Sequence, residues 1–172
     1  LSRTTAFGYY AQNFVGLVER VTDRLAAPSP DQPRERLWQV RAKRVILATG
    51  AIERHMVFAD NDRPGIMLAS AARTYLNYYG VAVGRQVGVF TANDSAYWAA
   101  IDLKKAGVNI AAIVDTRDNP SGPAVEEARA LGIELNLGRT VLRTNGRLRI
   151  SSMVVQAKKG APECVIPVDA LL

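Results

Sequence analysis

The segment Gln86-Val-Gly-Val-Phe-Thr-Ala-Asn-Asp-Ser-Ala96 decides the fold, because it joins an apolar strand to a polar turn and then to a helix that ends before Gly107. A second apolar strand is predicted at 109–114, a second helix at 124–131 and a third strand at 133–135. Strands and helices that alternate at this spacing predict a βαβαβ unit with a parallel sheet and right-handed crossovers.

The turn after the first of these strands has the layout of a dinucleotide site. Such a site needs a glycine turn, a helix N-terminus aimed at the pyrophosphate, and an acidic residue about 20 positions further on for the ribose. Thr91 and Asn93 stand at the first two glycine positions, Asp94 and Ser95 lead into the helix, and Asp115 ends the second strand. These residues are the predicted cofactor-binding set, and the carboxylate of Asp115 favours NAD because it would repel a 2′-phosphate.

The missing glycines leave two interpretations open for this turn. Thr91 in a left-handed conformation would be strained by roughly 1–2 kcal/mol, whereas Asn93 tolerates a positive φ. Side chains at both positions would also crowd a pyrophosphate. The unit is therefore either a working nucleotide site or a Rossmann-like unit kept for packing, and the nearby Arg117 leaves NADP open as the ligand.

The residues before this unit predict an antiparallel meander, with strands at 4–10, 14–21 and 37–41. The continuously apolar run 45–48 predicts a buried parallel strand that ends at Thr49 and Gly50. An irregular crossover at 51–65 follows, and then a helix over 68–79 with a glycine stop at Gly80.

The residues after the unit predict a hairpin of 140–144 and 148–156, and a last strand at 165–171. We expect the last strand to lack neighbours and to cause self-association. A domain boundary is predicted near Val83 and Gly84. The predicted fold class is α/β, with a Rossmann-like parallel sheet, flanking helices and an antiparallel strand meander.

Composition excludes several classes of function. No apolar run approaches the roughly 20 residues of a membrane span, and the net charge of +6 is spread along the chain, so we expect neither membrane nor nucleic-acid partners. Cys164 is the only cysteine, which excludes an internal disulfide or a CxxC pair and favours a cytoplasmic location. We predict no catalytic residue and no metal site, since His55, the only histidine, has no partner that the sequence identifies.

Four segments together carry a family resemblance, namely 45–54, 61–69, 73–76 and 90–97. The order of meander, Ala-Thr-Gly strand, crossover and second βαβ unit resembles the two-dinucleotide-binding flavoproteins of the glutathione and thioredoxin reductase class. The four segments resemble, more narrowly, the α subunit of heterotetrameric sarcosine oxidase. The stretch Asn61-Asp-Arg-Pro-Gly-Ile-Met-Leu-Ala69 is the most specific of them, and the glycine-poor turn agrees with this family.

The resemblance implies a cytoplasmic enzyme that oxidises sarcosine with O2 to glycine, formaldehyde and H2O2. It also implies that Ala48, Thr49 and Gly50 lie beside a cofactor, that NAD binds the α subunit, and that FAD and FMN belong to the parent complex. Partners would be the other subunits, especially β. The glycine fingerprint of the family would precede Leu1 and further sequence would follow Leu172, so we expect the fold to be truncated at both ends.

The domains implied are a partial first dinucleotide-binding domain at 1–84 and an inserted NAD-type domain at 85–172. The leading hypothesis is a non-catalytic piece of the α subunit that serves as an NAD-binding or assembly scaffold. The alternatives are a stand-alone NAD-dependent reductase domain and a subunit-assembly module that binds no nucleotide.

Overall fold

The computed structural model describes residues 2–157 and 160–172, and the chain divides into two compact units, 1–51 and 52–172. The first unit is an antiparallel meander of strands β1 (Thr4–Tyr10), β2 (Phe14–Arg20) and β3 (Glu35–Arg41). A short 3-10 turn at Ala11–Asn13 closes the first hairpin. The predicted meander is present, with β3 starting two residues before its predicted position.

The predicted strand at 45–48 is absent from the described structure, and this prediction was wrong. Ile46 is 90% exposed and Leu47 is also exposed, and residues 44–50 pair with no described strand. A parallel strand requires neighbours that bond its backbone and cover both of its faces. No described element supplies them here, so the apolar composition alone does not produce a strand.

The second unit contains a parallel sheet and three helices. The strands are β4 (Gln86–Thr91), β5 (Asn109–Asp115), β6 (Leu135–Leu137) and β10 (Ala170–Leu171), in the order β10-β4-β5-β6, and the helices are α1 (Ala69–Tyr79), α2 (Ser95–Lys105) and α3 (Pro123–Ala130). The predicted βαβαβ unit is confirmed. Strand β6 begins two residues later than predicted, because Ile133 bonds back to the carbonyl of Ala128 at the end of α3.

Three antiparallel strands form a second layer in this unit: β7 (Thr140–Asn145), β8 (Ser152–Gln156) and β9 (Glu163–Pro167). The predicted hairpin is present, but β8 begins at Ser152 rather than at 148. The single strand predicted at 165–171 is instead two strands in two sheets, β9 and β10. Between them the carboxylate of Asp169 accepts hydrogen bonds from the amides of Arg85 and Gln86, which redirects the chain to the edge of β4.

The core lies on both faces of the parallel sheet. On one face, Val89 and Ile113 pack with the buried side chains of α1, α2 and α3. On the other face, Phe90 and Val114 pack against Met153 and its neighbours in the antiparallel layer. Both faces are therefore covered, which explains why β4 and β5 are apolar along most of their length.

The crossover before α1 is anchored by polar side chains. The guanidinium of Arg63 donates hydrogen bonds to the hydroxyl of Thr144 (3.3 Å) and to the carbonyl of Gly146. The carboxylate of Glu53 accepts the amides of Ala69 and Ser70 at the start of α1, where a negative charge is favourable. The stretch 61–69 thus connects the crossover to the antiparallel layer.

The position of helix α1 concerns the predicted domain boundary, and the length of the helices concerns the prediction that no segment spans a membrane. Helix α1 packs on α2 through an ion pair between Arg73 and Asp102 (2.6 Å), although it precedes the boundary predicted near Val83 and Gly84. That domain boundary stays a prediction. No helix in the part of the chain that the structure describes is long and apolar enough to cross a membrane.

Candidate functional site

The predicted nucleotide-binding residues of the second unit meet at the carboxyl edge of the parallel sheet. Thr91 is the last residue of β4 and lies opposite Asp115, the last residue of β5. Asn93, Asp94 and Ser95 form the turn from β4 into α2. This edge is where open α/β sheets bind ligands. The sequence therefore predicted that these residues meet here, and their role in binding a cofactor stays a prediction.

The turn is closed by its own side chains. The hydroxyl of Thr91 accepts the amide hydrogen of Asn93 (3.1 Å) and donates to the carbonyl of the same residue (2.9 Å). The side-chain oxygen of Asn93 accepts hydrogen bonds from the amide (3.0 Å) and hydroxyl (2.6 Å) of Ser95. Two of the backbone amides that a pyrophosphate would approach are therefore already bonded within the turn.

The backbone of the turn differs from the expectation drawn from the glycine pattern. Thr91 and Asn93 both have negative φ, since the positive-φ residues of the chain other than glycine are Arg3, Gln12, Asn13 and Asp60 among the described positions. Thr91 does not adopt the left-handed conformation in which it would be strained. The reason is that the extended conformation of β4 continues through Thr91, and its hydroxyl then bonds to Asn93.

Asp115 is fully buried and its carboxylate is bonded on both oxygens. The hydroxyl of Tyr97 donates to Oδ2 at 2.8 Å, and Nη2 of Arg117 lies 2.8 Å from the same oxygen. Oδ1 accepts the backbone amide (2.9 Å) and Nε (3.1 Å) of Arg117. The group that a ribose diol would need is thus held by the protein's own donors.

Arg117 also bridges the two sides of the turn. Its Nη1 lies 2.8 Å from Oδ1 of Asp94, which precedes α2, while Nη2 is bonded to Asp115 at the end of β5. Arg117 therefore connects the end of the second strand to the start of the helix. The two carboxylates largely neutralise the charge of Arg117, so little positive potential is left to attract a 2′-phosphate.

The electrostatics of this cluster keep Asp115 ionised. Burial by itself would raise the pKa of Asp115, but hydrogen bonds from the side chain and backbone of Arg117 and from Tyr97 outweigh it, so the pKa lies below its ordinary value. Burial, and then the hydrogen bond to Asp115, raise the pKa of Tyr97. The hydrogen bond with Asp115 raises the pKa of Arg117. The cluster is a charged and hydrogen-bonded pair with a neutral tyrosine donor at neutral pH.

A dinucleotide finds few free groups at this edge. The amides of Asn93 and Ser95 are bonded inside the turn, and the carboxylate of Asp115 has donors on both oxygens. A pyrophosphate and a ribose would have to displace these contacts. The residues present therefore do not fit NAD in the arrangement that the structure shows.

The other predicted cofactor residues lie in the first unit. Ala48, Thr49 and Gly50 are exposed, and Gly50 has a φ of +71° that favours glycine. Their role beside a cofactor stays a prediction. His55 is exposed on the crossover and Cys164 is exposed in β9.

Sequence reasoning missed the role of two residues at the site. The sequence pattern does not pair Tyr97 with Asp115, and it indicates Arg117 only as a group that could meet a 2′-phosphate. A signal existed for Tyr97, since it stands on the third position of α2 and a buried tyrosine hydroxyl needs an acceptor. The conformation of Arg117, two residues beyond β5, could not be read from spacing.

Known proteins resemble this chain closely over its length. No family model matches it. The chain is 45% identical over 171 residues to the sarcosine oxidase subunit alpha of Rhizobium meliloti, which is 99% of this chain and 17% of that protein. It is 46% identical over 158 residues to the subunit alpha of Corynebacterium sp. strain P-1, which is 90% of this chain and 16% of that protein.

The resemblance to the sarcosine oxidase α subunit is confirmed. The chain spans 15 to 17% of the length of the curated sarcosine oxidase subunits that it matches. The glycine-poor turn at Thr91 lies inside the stretch that matches the Rhizobium meliloti subunit, because that match leaves out only 1% of this chain.

Two solved structures that superpose on this chain are a reductase and a dehydrogenase. Thioredoxin reductase from T. acidophilum superposes with a TM-score of 0.58 at 15% identity, over 78% of this chain and 44% of that chain. L-proline dehydrogenase from P. horikoshii superposes with a TM-score of 0.50 at 26% identity, over 98% of this chain and 26% of that chain. The predicted α/β fold class, with a parallel sheet and antiparallel strands, is confirmed.

Proposed function

We propose that this chain is a non-catalytic scaffold within the α subunit of a sarcosine oxidase, the enzyme that oxidises sarcosine to glycine, formaldehyde and H2O2. The identity of 45% over 99% of the chain supports the family assignment. The observation that carries the scaffold role is the saturated Asp115, whose carboxylate is bonded by Tyr97 and Arg117. In this proposal the βαβ unit presents surfaces to the rest of the enzyme.

The turn at Thr91 has a structural role under this proposal. Its hydrogen bonds hold β4 to the start of α2, and Arg117 ties the same turn to the end of β5. A site that binds and releases a dinucleotide would instead keep its amides and its ribose acceptor free. The NAD, FAD and FMN of the complex would bind elsewhere, and Ala48, Thr49 and Gly50 are the residues of this chain that we propose lie near a cofactor.

The partners and location follow from the same proposal. We place the other subunits of the oxidase, the β subunit above all, against this chain, in the cytoplasm. The exposed tyrosines of α1, Tyr75, Tyr78 and Tyr79, are candidates for subunit packing because they form a contiguous aromatic surface.

The proposal is tested with a substitution that prevents a dinucleotide from binding at the turn between β4 and α2 and leaves the buried side chains unchanged. Ser95 is exposed at the first position of α2, where an acidic residue is favourable for the helix but repels a pyrophosphate. The Ser95→Glu variant is purified in the complete oxidase, and the released nucleotide is measured by chromatography. We expect its nucleotide content to equal that of the wild type and of the control Ser29→Glu, which lies in an exposed loop of the first unit.

A loss of nucleotide from Ser95→Glu alone would overturn the scaffold proposal. It would favour the second candidate function, NAD binding at this turn, which draws support from the meeting of Thr91 and Asp115 at the carboxyl edge. Titration calorimetry with NAD and NADH tests the second candidate directly. Saturable binding that Ser95→Glu abolishes would establish it, and the absence of binding at millimolar nucleotide would remove it together with the stand-alone reductase.

A further inference from the structure

The first unit contains a polar cavity at the open end of the hairpin formed by β1 and β2. Its volume is about 370 Å³, and its lining includes Arg3, Thr5, Arg20, Asp23 and Arg24. We call this cavity the arginine pocket. Its lining includes none of the residues that the proposed function uses, neither those of the turn at Thr91 nor Ala48, Thr49 and Gly50.

The arginine pocket carries an excess of positive charge. Its one lining carboxylate, Asp23, is already shared between Arg34, whose Nε is 3.0 Å from Oδ1, and Arg20, whose Nε is 3.9 Å from Oδ2. No carboxylate of the described residues lies within ion-pair distance of Arg3 or Arg24. Arg3 and Arg24 therefore line the cavity without an ion-pair partner among the described residues, and the charge of the one lining carboxylate is taken up by Arg20 and Arg34.

The sequence of the first unit shows the same imbalance. Residues 1–51 hold eight of the 22 basic residues but only four of the 16 acidic ones, so this unit of 51 residues carries four of the six net positive charges. The excess charge of the chain, which composition alone did not explain, is thus concentrated in the unit that contains the arginine pocket. A bound anion would relieve the repulsion between its guanidinium groups.

The backbone at Arg3 is held in an uncommon conformation. Its φ is +56°, in the left-handed region that residues with side chains rarely adopt, and its carbonyl accepts the amide hydrogen of Arg20 at 3.0 Å. Strained residues of this kind concentrate at ligand sites, where the surrounding structure maintains them. Here the strained residue is one of the arginines that line the cavity.

We propose that the arginine pocket binds a small phosphate-bearing ligand. A guanidinium presents two parallel N–H groups that match two phosphate oxygens, and three arginines that line one cavity suit a tetrahedral dianion better than a single carboxylate. Thr5, whose side chain carries a hydroxyl donor, also belongs to the lining. The ligand is a phosphate ester or an inorganic phosphate, since the cavity recognises the phosphate group that both contain.

The test is titration calorimetry of the purified protein with inorganic pyrophosphate, with AMP, and with citrate as a carboxylate anion, all at constant ionic strength. We expect saturable binding of pyrophosphate. Binding of AMP in addition would identify a phosphate ester as the ligand, and binding of pyrophosphate alone would identify inorganic phosphate. Each result supports the pocket.

Variants assign the binding to the pocket. Arg24 is exposed in a loop and forms no ion pair with another described residue. We expect Arg24→Gln to leave the fold intact and to weaken pyrophosphate binding by at least about tenfold, as the loss of a charged hydrogen bond does. Arg3→Gln is expected to act in the same direction. Arg41→Gln removes the same charge from the end of β3, outside the pocket, and is the matched control.

Three results would overturn the proposal. They are an absence of saturable pyrophosphate binding at millimolar concentration, citrate binding as tight as pyrophosphate binding, and an Arg41→Gln effect equal to that of Arg24→Gln. The last would show attraction to the net charge of the unit rather than to the cavity. Pyrophosphate bound at the turn at Thr91 would be unaffected by Arg24→Gln, so the variants distinguish the pocket from that turn.

Discussion

The guanidinium of Arg117 holds the carboxylate of Asp115 through two nitrogens, with Nη2 2.8 Å from Oδ2 and Nε 3.1 Å from Oδ1. The carboxylate is fully buried, whereas a third of the Arg117 side chain is exposed. The arginine therefore brings its charge from the surface to the end of β5. The carboxylate is therefore bonded inside the protein at the position where a dinucleotide site would need a free acceptor for the ribose.

Removal of the arginine should destabilise the fold. We expect Arg117→Ala to lower the free energy of unfolding by about 2–4 kcal/mol, because it leaves a buried carboxylate with fewer donors. Urea denaturation followed by circular dichroism measures the change. The control is Arg129→Ala, an exposed arginine of α3, for which we expect a change within about 0.5 kcal/mol. Equal effects of the two substitutions would contradict the structural role of Arg117.

The same pair makes stability depend on pH. The pKa of Asp115 is lower in the folded protein than the value of about 3.9 expected for an unfolded chain, so folding favours the ionised form. This contribution is fully present above about pH 4 and is lost as the pH falls through the folded pKa. We expect the stability difference between the wild type and Asp115→Asn to shrink below about pH 4. Urea midpoints measured from pH 3 to pH 7 test this, and a difference that stays constant over the range would refute it.

Two glycines with positive φ should respond differently to alanine. A Cβ at Gly65 (φ +100°) would lie 2.7 Å from Ile150 and 3.1 Å from the carbonyl of Asp169, whereas a Cβ at Gly80 (φ +67°) would meet nothing within 4 Å. We expect Gly80→Ala to cost about 1 kcal/mol of unfolding free energy from backbone strain alone, and Gly65→Ala to cost at least about twice as much. Thermal and urea denaturation of both variants provide the comparison. If Gly80→Ala lowers the free energy of unfolding more than Gly65→Ala does, the close approach of Gly65 to Ile150 does not determine the cost of an added Cβ.

Self-association of the chain stays a prediction, and the structure indicates that β9 is the strand through which it would occur. This strand is an edge of the antiparallel sheet, and its Val165 is 57% exposed, while residues 170–172 are buried beside β4. We expect the purified chain to self-associate, and Val165→Lys to reduce this, because a charged side chain on an edge strand opposes pairing with another chain. Size-exclusion chromatography over a range of concentrations measures it. The matched control is Val81→Lys, which adds the same charge at an exposed loop position, and a monomeric wild type would end the prediction.

Local signals predicted most elements of the second unit correctly. Helix α1 ends at Gly80, whose left-handed conformation lets its amide bond back to Leu76, as the glycine stop indicated. The apolar strands β4 and β5 and the helix between them lie within one or two residues of their predicted positions. The glycine stop succeeded because a helix end depends on contacts close in sequence. The apolar strands were predicted correctly because strands that alternate with helices form a sheet that is buried on both faces.

The failures share a different cause. The run 45–48 has the composition of a buried strand, but strand formation depends on neighbours distant in sequence. The run 165–171 was divided because Asp169 bonds to the amides of Arg85 and Gln86, more than eighty residues earlier in the chain. No property of either segment by itself reveals which partner it will find.

The sequence by itself determined the βαβαβ order, the family resemblance, and the place where Thr91, Asn93, Asp94, Ser95 and Asp115 meet. It did so because strand and helix periodicity bring the carboxyl ends of parallel strands to one edge of a sheet. Only the tertiary structure decided that Tyr97 and Arg117 would bond to Asp115 and that Arg3, Arg20 and Arg24 would line one cavity. Those contacts depend on side-chain directions and on the packing of distant elements, which residue spacing does not encode.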